Sequence, residues 1–433
     1  MATAARTEGS LARWQTINLA LLVMGYSGYY LCRSNLSVTL PLIIQELARN
    51  GRDANAARVA LGSIASLGVL AYALGKFPSG TLADLFGGRR NFLFGMGGSI
   101  AFTLLFAASG ALPLFTLAWM GNRLVQSLGW AGAVKIASRW FSFRRYGTVM
   151  AIISLSFLFG DAAARQFMGL LLAAGLGWRG LFLTTAGVLA AILLACLCLR
   201  ESPRRLGESE PEERPDNLFA ETGVESRAGS LRELLAPFFR SGIFWLACAL
   251  SLGTTILRET FNLWTPTYFT QAGGMAAGTA AGTSALFPFF GGVSVILCGW
   301  LSDWFGPKGR AGLMLAGLAL AGTVLLILGS GLINGSRAWP VILVALVGFL
   351  VVGPYSFLAG AIALDFGGKQ GSGTASGIID GVGYLGGVLS GDSMARISVH
   401  YGWNGAFLVL AIVAFLSSGA AAAFRRHQAA VKA

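Results

Sequence analysis

Long apolar segments alternate with short polar or charged ones along the whole chain. Runs of about 20 apolar residues are long enough to cross a bilayer as a helix. Counting such runs predicts twelve transmembrane helices, with approximate bounds 14–42, 58–85, 91–109, 114–140, 146–174, 180–199, 241–270, 278–304, 312–331, 340–365, 371–399 and 405–424. The pattern predicts an all-α membrane protein.

The composition agrees with this reading and excludes a soluble enzyme. Of the 433 residues, 55% are hydrophobic and only 12% are charged, whereas a soluble domain has roughly 25% charged residues. Nine of the 19 acidic residues lie between Glu201 and Glu233. The rest of the chain is therefore even poorer in charge.

The net charge of +13 reflects the membrane rather than a nucleic acid partner. Most Lys and Arg residues lie in short clusters between the apolar runs, as the positive-inside rule expects. That rule places both termini and the long polar segment in the cytoplasm. The N-terminus has no cleavable-signal pattern, and the Arg-, Ala- and Gly-rich composition favours the inner membrane of a bacterium.

The long polar segment divides the chain into two halves of six spans each. The predicted domains are an N-terminal six-helix bundle over residues 1–200, a cytoplasmic linker over 201–240 and a C-terminal six-helix bundle over 241–433. A solvated linker is the simplest reading of the middle segment, and a regulatory or partner-binding role stays open.

Sequence features recur in the two halves at nearly one period. Arg33 precedes Pro41 by eight residues, as Arg258 precedes Pro266, at an offset of 225. The same offset relates residues 177–182 to 402–407. The duplication predicts two pseudo-symmetric bundles related by an axis along the membrane normal, with a site between the halves.

A second repeated motif predicts a latch on the cytoplasmic side. The segments Gly80–Gly87 and Gly299–Gly306 share the pattern Gly-x-Leu-x-Asp-x-x-Gly. The aspartate of the pattern is Asp84 in the first copy and Asp303 in the second. Basic residues follow each copy. An acid that ends one helix and a base in the next turn can hold neighbouring helices together in one state of a moving protein. The predicted latch residues are Asp84, Arg89, Asp303 and Arg310.

Ionisable residues within the apolar runs are costly and are therefore functional candidates. Arg33 and Arg258 occupy equivalent places in the two repeats, so symmetry predicts that they face one cavity from opposite walls. The planar guanidinium fork suits an oxyanion, and two forks can grip a phosphate from both sides. The alternative is that each arginine is merely paired with a nearby acid such as Glu259.

Further candidates surround these arginines. Lys76 either adds a third positive charge to the cavity or extends to the cytoplasmic interface. Tyrosine side chains either line a wet cavity and donate to phosphate or sugar oxygens, or they pack within the bundles. The candidate tyrosines are Tyr26, Tyr30, Tyr72 and Tyr384.

The remaining embedded charges are candidates for coupling or gating. Asp161 and Arg165 are spaced i, i+4 and are expected to pair, either as a simple salt bridge or as part of a gate or proton-coupled site. Arg123 lies in Asn122-Arg-Leu-Val-Gln126-x-x-Gly129, which is similar to a fourth-span motif of proton-linked antiporters. Asp380 completes this group.

No metal or cofactor is expected. The five cysteines lie in apolar runs without metal-site spacing, and the chain has only two histidines, His400 and His427, both outside the predicted spans or at their edges. Small apolar packing explains the cysteines.

Several strings together resemble the organophosphate:phosphate antiporter family of the major facilitator superfamily. They are Tyr26-Ser-Gly-Tyr-Tyr-Leu-Cys-Arg33-Ser-Asn, Gly75-Lys76-Phe, Gln126-x-x-Gly-Trp130, Leu257-Arg258-Glu, Trp-Thr-Pro-Thr-Tyr268 and Gly373-Thr-Ala-x-Gly377. The resemblance implies two six-helix bundles that rock in alternating access. It also implies that Arg33 and Arg258 grip phosphate, with Lys76 and the four tyrosines around them.

The resulting hypothesis is exchange of an organic phosphate ester for inorganic phosphate by a monomeric carrier. Its partners are a small anionic substrate, inorganic phosphate and the lipid bilayer, without nucleic acid. Two alternatives stay open. One is a proton-coupled symporter of another organic anion, and the other is a non-transporting sensor of sugar phosphate.

Overall fold

The alternating pattern folds into helices wherever the structure describes the backbone. The computed structural model describes residues 2–141, 143–207, 209, 238–305, 307–333, 335–336 and 338–430, and no strand occurs among them. Most of the predicted linker, 201–240, therefore lies outside the described residues. The all-α class is confirmed.

Six long helices precede the polar segment in the part of the chain that the structure describes. They are α1 (Ala2–Arg49), α2 (Ala54–Phe86), α3 (Gly88–Ala108), α4 (Leu112–Trp140), α5 (Phe143–Ala173) and α6 (Trp178–Cys196), followed by a short 3₁₀ turn at Pro203–Leu206. Positive-φ glycines turn the chain in three of the connections between these helices, at Gly51, Gly87 and Gly175. Gly87 has φ 90°, a conformation that favours glycine, and separates α2 from α3.

In the described residues after the polar segment, the chain forms seven helices. They are α7 (Gly242–Gln271), α8 (Ala277–Ser284), α9 (Leu286–Phe305), α10 (Pro307–Gly329), α11 (Ala338–Phe357), α12 (Ala363–Leu389) and α13 (Asp392–Ala430), with a π-helical turn at Leu358–Ile362. α13 is kinked at Gly402, whose φ is 68°.

Besides shifted helix ends, the division into helices departs from the predicted spans at several points. The predicted span 278–304 is divided at Ala285 into α8 and α9, and the predicted span 371–399 is interrupted between α12 and α13. Between the predicted spans ending at 365 and starting at 371, the backbone stays helical. The pattern of apolar residues cannot predict where a helix breaks or continues within such a segment, because the segment is equally apolar in both cases.

Eight helical segments of the described chain are long and apolar enough to cross a membrane. They are Ala54–Ser79, Gly88–Ala108, Ile152–Ala173, Trp178–Cys196, Ala277–Ser302, Gly309–Gly329, Ala338–Ile362 and Ala375–His427. The helices α1, α4 and α7 are not in this set, and they carry Arg33, Arg123 and Arg258. The total of twelve spans stays a prediction.

The described residues divide into two compact units. The first comprises those within Met1–Ile43, Leu67–Arg214 and Ala277–Gly282, and the second those within Ile44–Ser66, Pro215–Ala276 and Thr283–Ala433. α2 contributes its first part to the second unit and the remainder to the first unit. The division thus follows the two halves of the sequence except for two short segments.

Each unit has an aromatic core. In the first unit, Phe92 and Trp140 are fully buried among α1, α3 and α4, and Trp140 Nε1 donates to the backbone oxygen of Arg200 at 2.8 Å. In the second unit, the ring of Phe261 stacks on those of Phe287 and Phe407 at 5.4 and 6.0 Å, which joins α7, α9 and α13. These cores hold the helices that carry the embedded charges.

Candidate functional site

In the first unit, three basic side chains converge on the ring of Tyr72. The guanidinium carbon of Arg33 lies 4.5 Å from the ring centre, that of Arg123 lies 4.9 Å from it, and Lys76 Nζ lies 5.3 Å from it. These distances are within the range of cation–π contacts. The sequence placed Arg33, Lys76 and Tyr72 in one group, and the structure brings Arg123 into that group as well. We call these four residues the Tyr72 cluster.

Helix periodicity explains how two helices supply three members of the cluster. Tyr72 and Lys76 are spaced i, i+4 on α2, so they share one face. On α1, Tyr30 and Arg33 are spaced i, i+3, and the Arg33 guanidinium also lies 5.2 Å from the Tyr30 ring centre. Arg33 is therefore held between tyrosines from two helices.

The predicted tyrosine Tyr26 lies farther along the same face of α1 and is 6% exposed. Its ring centre is 5.3 Å from that of Trp130 on α4 and 6.1 Å from that of Tyr30. The neighbouring Tyr29 has a structural role, because its hydroxyl donates to the backbone oxygen of Phe92 at 2.6 Å. The aromatic surface that begins at Tyr72 therefore extends along α1 to α4.

Asp161 and Arg165 on α5 form the ion pair that their spacing predicts. Arg165 Nε lies 3.1 Å from Asp161 Oδ1, and both side chains are buried. Ser34 Oγ donates to the same Oδ1, and Arg165 Nη1 donates to Ser37 Oγ at 3.5 Å. The pair thus joins α5 to the segment of α1 that directly follows Arg33.

The second unit contains its own arginine cluster. Arg258 on α7 lies with its guanidinium carbon 4.4 Å from the ring centre of Tyr355 on α11 and 6.0 Å from that of Tyr384 on α12. Arg258 Nη2 donates to Glu259 Oε1 at 2.7 Å. The Tyr355 hydroxyl lies 3.4 Å from Asp380 Oδ1. Arg258, Glu259, Tyr355, Asp380 and Tyr384 form what we call the Arg258 cluster.

Tyr355 was not predicted from the sequence. The available signal was weak: a Gly353-Pro354-Tyr355 triplet in an otherwise apolar run. Gly353 lets α11 approach α9, because a Cβ there would overlap the side chains of Ser294 and Cys298. Pro354 lies inside α11, just before the π-helical turn, where helical hydrogen bonding changes. Only the packed structure shows that Tyr355 faces Arg258.

Of the predicted latch residues, Arg89 and Arg310 are described, whereas the side chains of Asp84 and Asp303 lie outside the described residues. Arg89 donates to the backbone oxygens of Leu197 and Leu199, each at 2.7 Å. Arg310 Nε donates to Ser302 Oγ at 2.8 Å. Arg89 thus satisfies carbonyl groups at the end of α6, a contact that the motif did not suggest.

Glu201 is a further residue that sequence reasoning left unassigned. Its carboxylate accepts hydrogen bonds from the backbone N–H groups of Gly88 and Arg89, at 2.8 and 2.7 Å, and lies 3.3 Å from Arg139 Nη1. It therefore caps the N-terminus of α3, where unpaired N–H groups attract an acid.

No cluster of three or more His, Cys, Asp or Glu residues suited to a metal ion occurs in the described part of the chain. The two arginine clusters instead contain guanidinium and phenol hydrogen-bond donors, carried by helices that are poor in charge. Such donors are suited to binding oxyanions.

The sequence matches known proteins over nearly its full length. The family model "Major Facilitator Superfamily" matches residues 22–391. The glycerol-3-phosphate transporter of Bacillus subtilis is 26% identical over 404 residues, which covers 90% of this chain and 87% of that protein. The membrane sensor protein UhpC of Salmonella typhimurium is 27% identical over 411 residues, covering 94% and 90%.

A solved structure shares the fold. The crystal structure of a bacterial homolog of the human lysosomal transporter Spinster, inward-facing and unoccupied, aligns with a TM-score of 0.73 at 15% identity. It covers 95% of this chain and 97% of that one. The chain therefore belongs to the major facilitator superfamily, and it is a multi-pass membrane protein rather than an enzyme.

Proposed function

We propose that this protein is a secondary active transporter that exchanges an organic phosphate ester for inorganic phosphate by alternating access. The observation that carries the proposal is the presence, in each of the two units, of an arginine held against tyrosine rings: Arg33 against Tyr72 and Arg258 against Tyr355. The similarity to a glycerol-3-phosphate transporter supports an organic phosphate as substrate.

In this proposal, Arg33 and Arg258 are the phosphate ligands, assisted by Lys76 and by Tyr26, Tyr30, Tyr72 and Tyr384. A guanidinium donates two parallel N–H bonds to two oxygens of a phosphate, which an ammonium cannot do. Tyrosine hydroxyls add neutral donors that suit the ester's sugar or glycerol part.

Electrostatics explains why such a carrier would exchange rather than leak. In the Tyr72 cluster, the cationic groups of Arg33, Lys76 and Arg123 lie around one phenol ring, and like charges held this close repel one another, which has a free-energy cost. A bound phosphate lowers that cost, so conformations that exclude water are reached more easily by the loaded carrier. Coupling between anion binding and the conformational change then requires no chemical step.

The proposal extends to the topology. We place both termini and the segment 201–240 in the cytoplasm and the protein in the inner membrane of a bacterium, as a monomer. The distribution of Lys and Arg between the apolar runs supports this orientation.

The test is phosphate exchange in proteoliposomes. Vesicles are loaded with labelled inorganic phosphate, and external phosphate or phosphate esters are tested for release of the label. Arg33→Lys and Arg258→Lys should each abolish exchange, because the bidentate contact is lost. Arg179→Lys is the matched control: Arg179 also lies over an aromatic ring, that of Trp178 at 4.2 Å, but is exposed. Full exchange by either cluster variant would contradict the proposal.

A sensor is the second candidate, because UhpC, a membrane sensor protein, is among the relatives. A sensor would bind phosphate esters without carrying them, so binding to purified protein combined with absent release in loaded vesicles would identify it. A proton-coupled symporter would instead accumulate substrate in phosphate-free vesicles under a pH gradient.

A further inference from the structure

A groove of about 640 Å³ lies in the first unit, on the side away from the Tyr72 cluster, and its lining residues come from α1, α5 and α6. On α1, Met24 lines the groove, whereas Arg33 lies about two and a half turns farther on and therefore on the opposite face of the helix. On α5, Ser156 lines the groove, whereas the ring of the next residue, Phe157, stacks on that of Tyr30. The groove is thus separate from the proposed phosphate site.

Two glycines and one hydrogen bond build this groove. Gly160 of α5 faces Ser27 of α1, where a Cβ would lie 2.8 Å from the serine side chain. Gly28 of α1 faces α6, where a Cβ would lie 3.0 Å from Ile192 Cδ1. Ser27 Oγ donates to the backbone oxygen of Ser156 at 3.1 Å. The close contacts make α1 the floor of the groove and α5 and α6 its two walls.

The lining of the groove suits a hydrocarbon chain. Apart from Ser27 and Ser156, the lining residues are apolar or glycine. Both serine hydroxyls donate to backbone oxygens, that of Ser156 to the oxygen of Ile153 at 2.5 Å. Among these lining residues, no charged side chain and no uncommitted hydroxyl donor is left for a phosphate or a sugar. The volume lies within the range of about 300–1,000 Å³ that is typical of ligand sites.

Two arginines lie beyond the groove, toward the N-terminal end of α1. Arg13 is exposed and precedes Met24 by eleven residues, about three turns, so both lie on the same face of α1. Arg200 follows α6, and its guanidinium carbon lies 3.7 Å from the centre of the Trp14 ring. The backbone N–H of Arg200 donates to Asn18 Oδ1 at 3.0 Å, which fixes Arg200 beside α1. The two guanidinium groups therefore accompany the α1 floor and the α6 wall.

Neither Arg13 nor Arg200 forms an ion pair with an acid among the described residues. Glu201 follows Arg200 in the sequence, but its carboxylate is held by the N-terminus of α3 and by Arg139. Tryptophan at the end of a span is typical of the membrane interface, where its ring lies at the level of the headgroups. Basic side chains at that level attract anionic lipid headgroups.

We propose that the groove holds one acyl chain of a membrane phospholipid with an anionic headgroup, and that Arg13 and Arg200 bind the phosphate of that headgroup. The length of the chain fits. Val23, the first lining residue of α1, lies nine residues or about 14 Å along the helix from Trp14, and one leaflet of the hydrocarbon core is about 15 Å thick. The terminal part of a long chain therefore lies in the groove. With the topology proposed above, this lipid belongs to the cytoplasmic leaflet.

The test measures lipid binding to the full chain, purified in detergent, by native mass spectrometry. Phosphatidylglycerol is the anionic probe, and phosphatidylcholine with the same acyl chains is the zwitterionic one. The wild-type protein should bind phosphatidylglycerol about 25-fold more tightly, since each basic side chain near the headgroup contributes about fivefold. Arg13→Gln and Arg200→Gln should each reduce this preference about fivefold. Arg179→Gln is the matched control, because Arg179 also lies over a tryptophan ring but at the other end of α6.

Ala163→Trp tests the groove itself. Ala163 lines the groove and is exposed, so an indole there occupies the space of the acyl chain without entering the core of the unit. The variant should bind long-chain phosphatidylglycerol about fivefold more weakly, which corresponds to the loss of about ten carbon–carbon contacts. It should bind a short-chain phosphatidylglycerol, whose chains end before Val23, as the wild type does. Ala316→Trp places the same ring on an exposed position of α10 and is the control.

Several outcomes would overturn the lipid site. Equal binding of the two lipids by the wild type, or an unchanged preference in both arginine variants, would exclude the headgroup contacts. An equal effect of Ala163→Trp on long- and short-chain lipid, or no effect, would exclude the chain from the groove. Displacement of the bound phosphatidylglycerol by glycerol 3-phosphate would show that the arginines serve the substrate instead.

These outcomes are distinct from failure of the proposed function. Lipid binding is measured on detergent-purified protein and requires no transport, so absent phosphate exchange leaves the lipid site in place. Conversely, phosphate exchange by a protein that binds the two lipids equally would support the proposed function and overturn the lipid site.

Discussion

Arg258 and Glu259 are neighbours on α7 and form an ion pair, with Arg258 Nη2 2.7 Å from Glu259 Oε1. Both side chains are close to nine-tenths buried. An anion that approaches Arg258 must therefore compete with a carboxylate that belongs to the protein. In the Tyr72 cluster, by comparison, the contacts of Arg33 include two neutral phenol rings.

Glu259→Gln should strengthen phosphate binding. It removes one negative charge next to Arg258 and preserves the size of the side chain. Removing a unit charge at this distance is worth at least about 1.4 kcal/mol, a factor of ten in affinity. The half-saturating phosphate concentration for exchange should therefore fall about tenfold, as measured with labelled phosphate in proteoliposomes. Glu46→Gln, outside the cluster, serves as the control, and weaker phosphate binding by Glu259→Gln would contradict competition between the two anions.

Tyr355 should act through its ring rather than its hydroxyl. The ring centre lies 4.4 Å from the Arg258 guanidinium, whereas the hydroxyl is 3.4 Å from Asp380 Oδ1, a long contact. Tyr355→Phe should change phosphate affinity by less than about twofold. Tyr355→Leu should lower it about 2- to 30-fold, the equivalent of a cation–π contact of about 0.5–2 kcal/mol.

The Tyr355 variants are compared with Tyr401→Leu, which removes a tyrosine that is 75% exposed. An equal loss in Tyr355→Phe and Tyr355→Leu would show that the contact with Asp380, rather than the ring, positions Arg258.

The sequence predicts those members of the two clusters whose position follows from local or periodic features of the chain. Arg33 and Arg258 could be found because a charge in an apolar run is conspicuous and because the internal repeat marks the two as equivalent. Tyr72 and Lys76 follow from i, i+4 spacing on one helix. These properties are local or periodic, so the chain displays them before it folds.

The members that the sequence does not reveal depend on contacts between distant helices. Tyr355 lies on α11, which Gly353 allows to pack closely against α9. Arg123 lies on α4, which Gly68 allows to pack closely against α2, the helix that carries Tyr72. A glycine in an apolar run looks the same whether it admits a neighbouring helix or faces open space, so its effect is visible only in the packed structure.

Glu201 should contribute to the stability of the first unit. Its carboxylate accepts two backbone hydrogen bonds at the N-terminus of α3 and lies near Arg139. Loss of a helix cap costs about 1 kcal/mol and loss of charge-assisted bonds somewhat more, so Glu201→Ala should be destabilised by about 1–2 kcal/mol. The measurement is the apparent melting temperature of the detergent-purified protein, which should fall by a few degrees.

Asp53→Ala is the matched comparison for Glu201→Ala. Asp53 caps α2 through one hydrogen bond, from the Ala56 N–H at 2.7 Å, and that bond is exposed to solvent. Its removal should lower the melting temperature less. If Asp53→Ala lowered the melting temperature more than Glu201→Ala, burial of the Glu201 cap would add nothing to its contribution to stability.

The buried pair Asp161–Arg165 has either a structural role or the coupling role that the sequence left open, and substitutions can distinguish the two. Asp161→Asn leaves the Arg165 charge buried and should cost about 3–5 kcal/mol, whereas the double variant Asp161→Leu with Arg165→Met removes both charges and should recover most of that loss. Arg396→Gln is the control, because Arg396 and Asp392 have the same i, i+4 spacing but are more exposed, and such a pair is worth about 1 kcal/mol or less.

Thermal stability and phosphate exchange are measured on the same preparations of these variants. If the pair only holds α5 against Ser34 and Ser37 of α1, the double variant should regain both stability and exchange. If the pair instead takes part in gating, the double variant should be stable and yet exchange phosphate slowly, because packing alone cannot replace charges that must separate and re-form during the transport cycle. The second outcome would refute the structural role that the four-residue network supports.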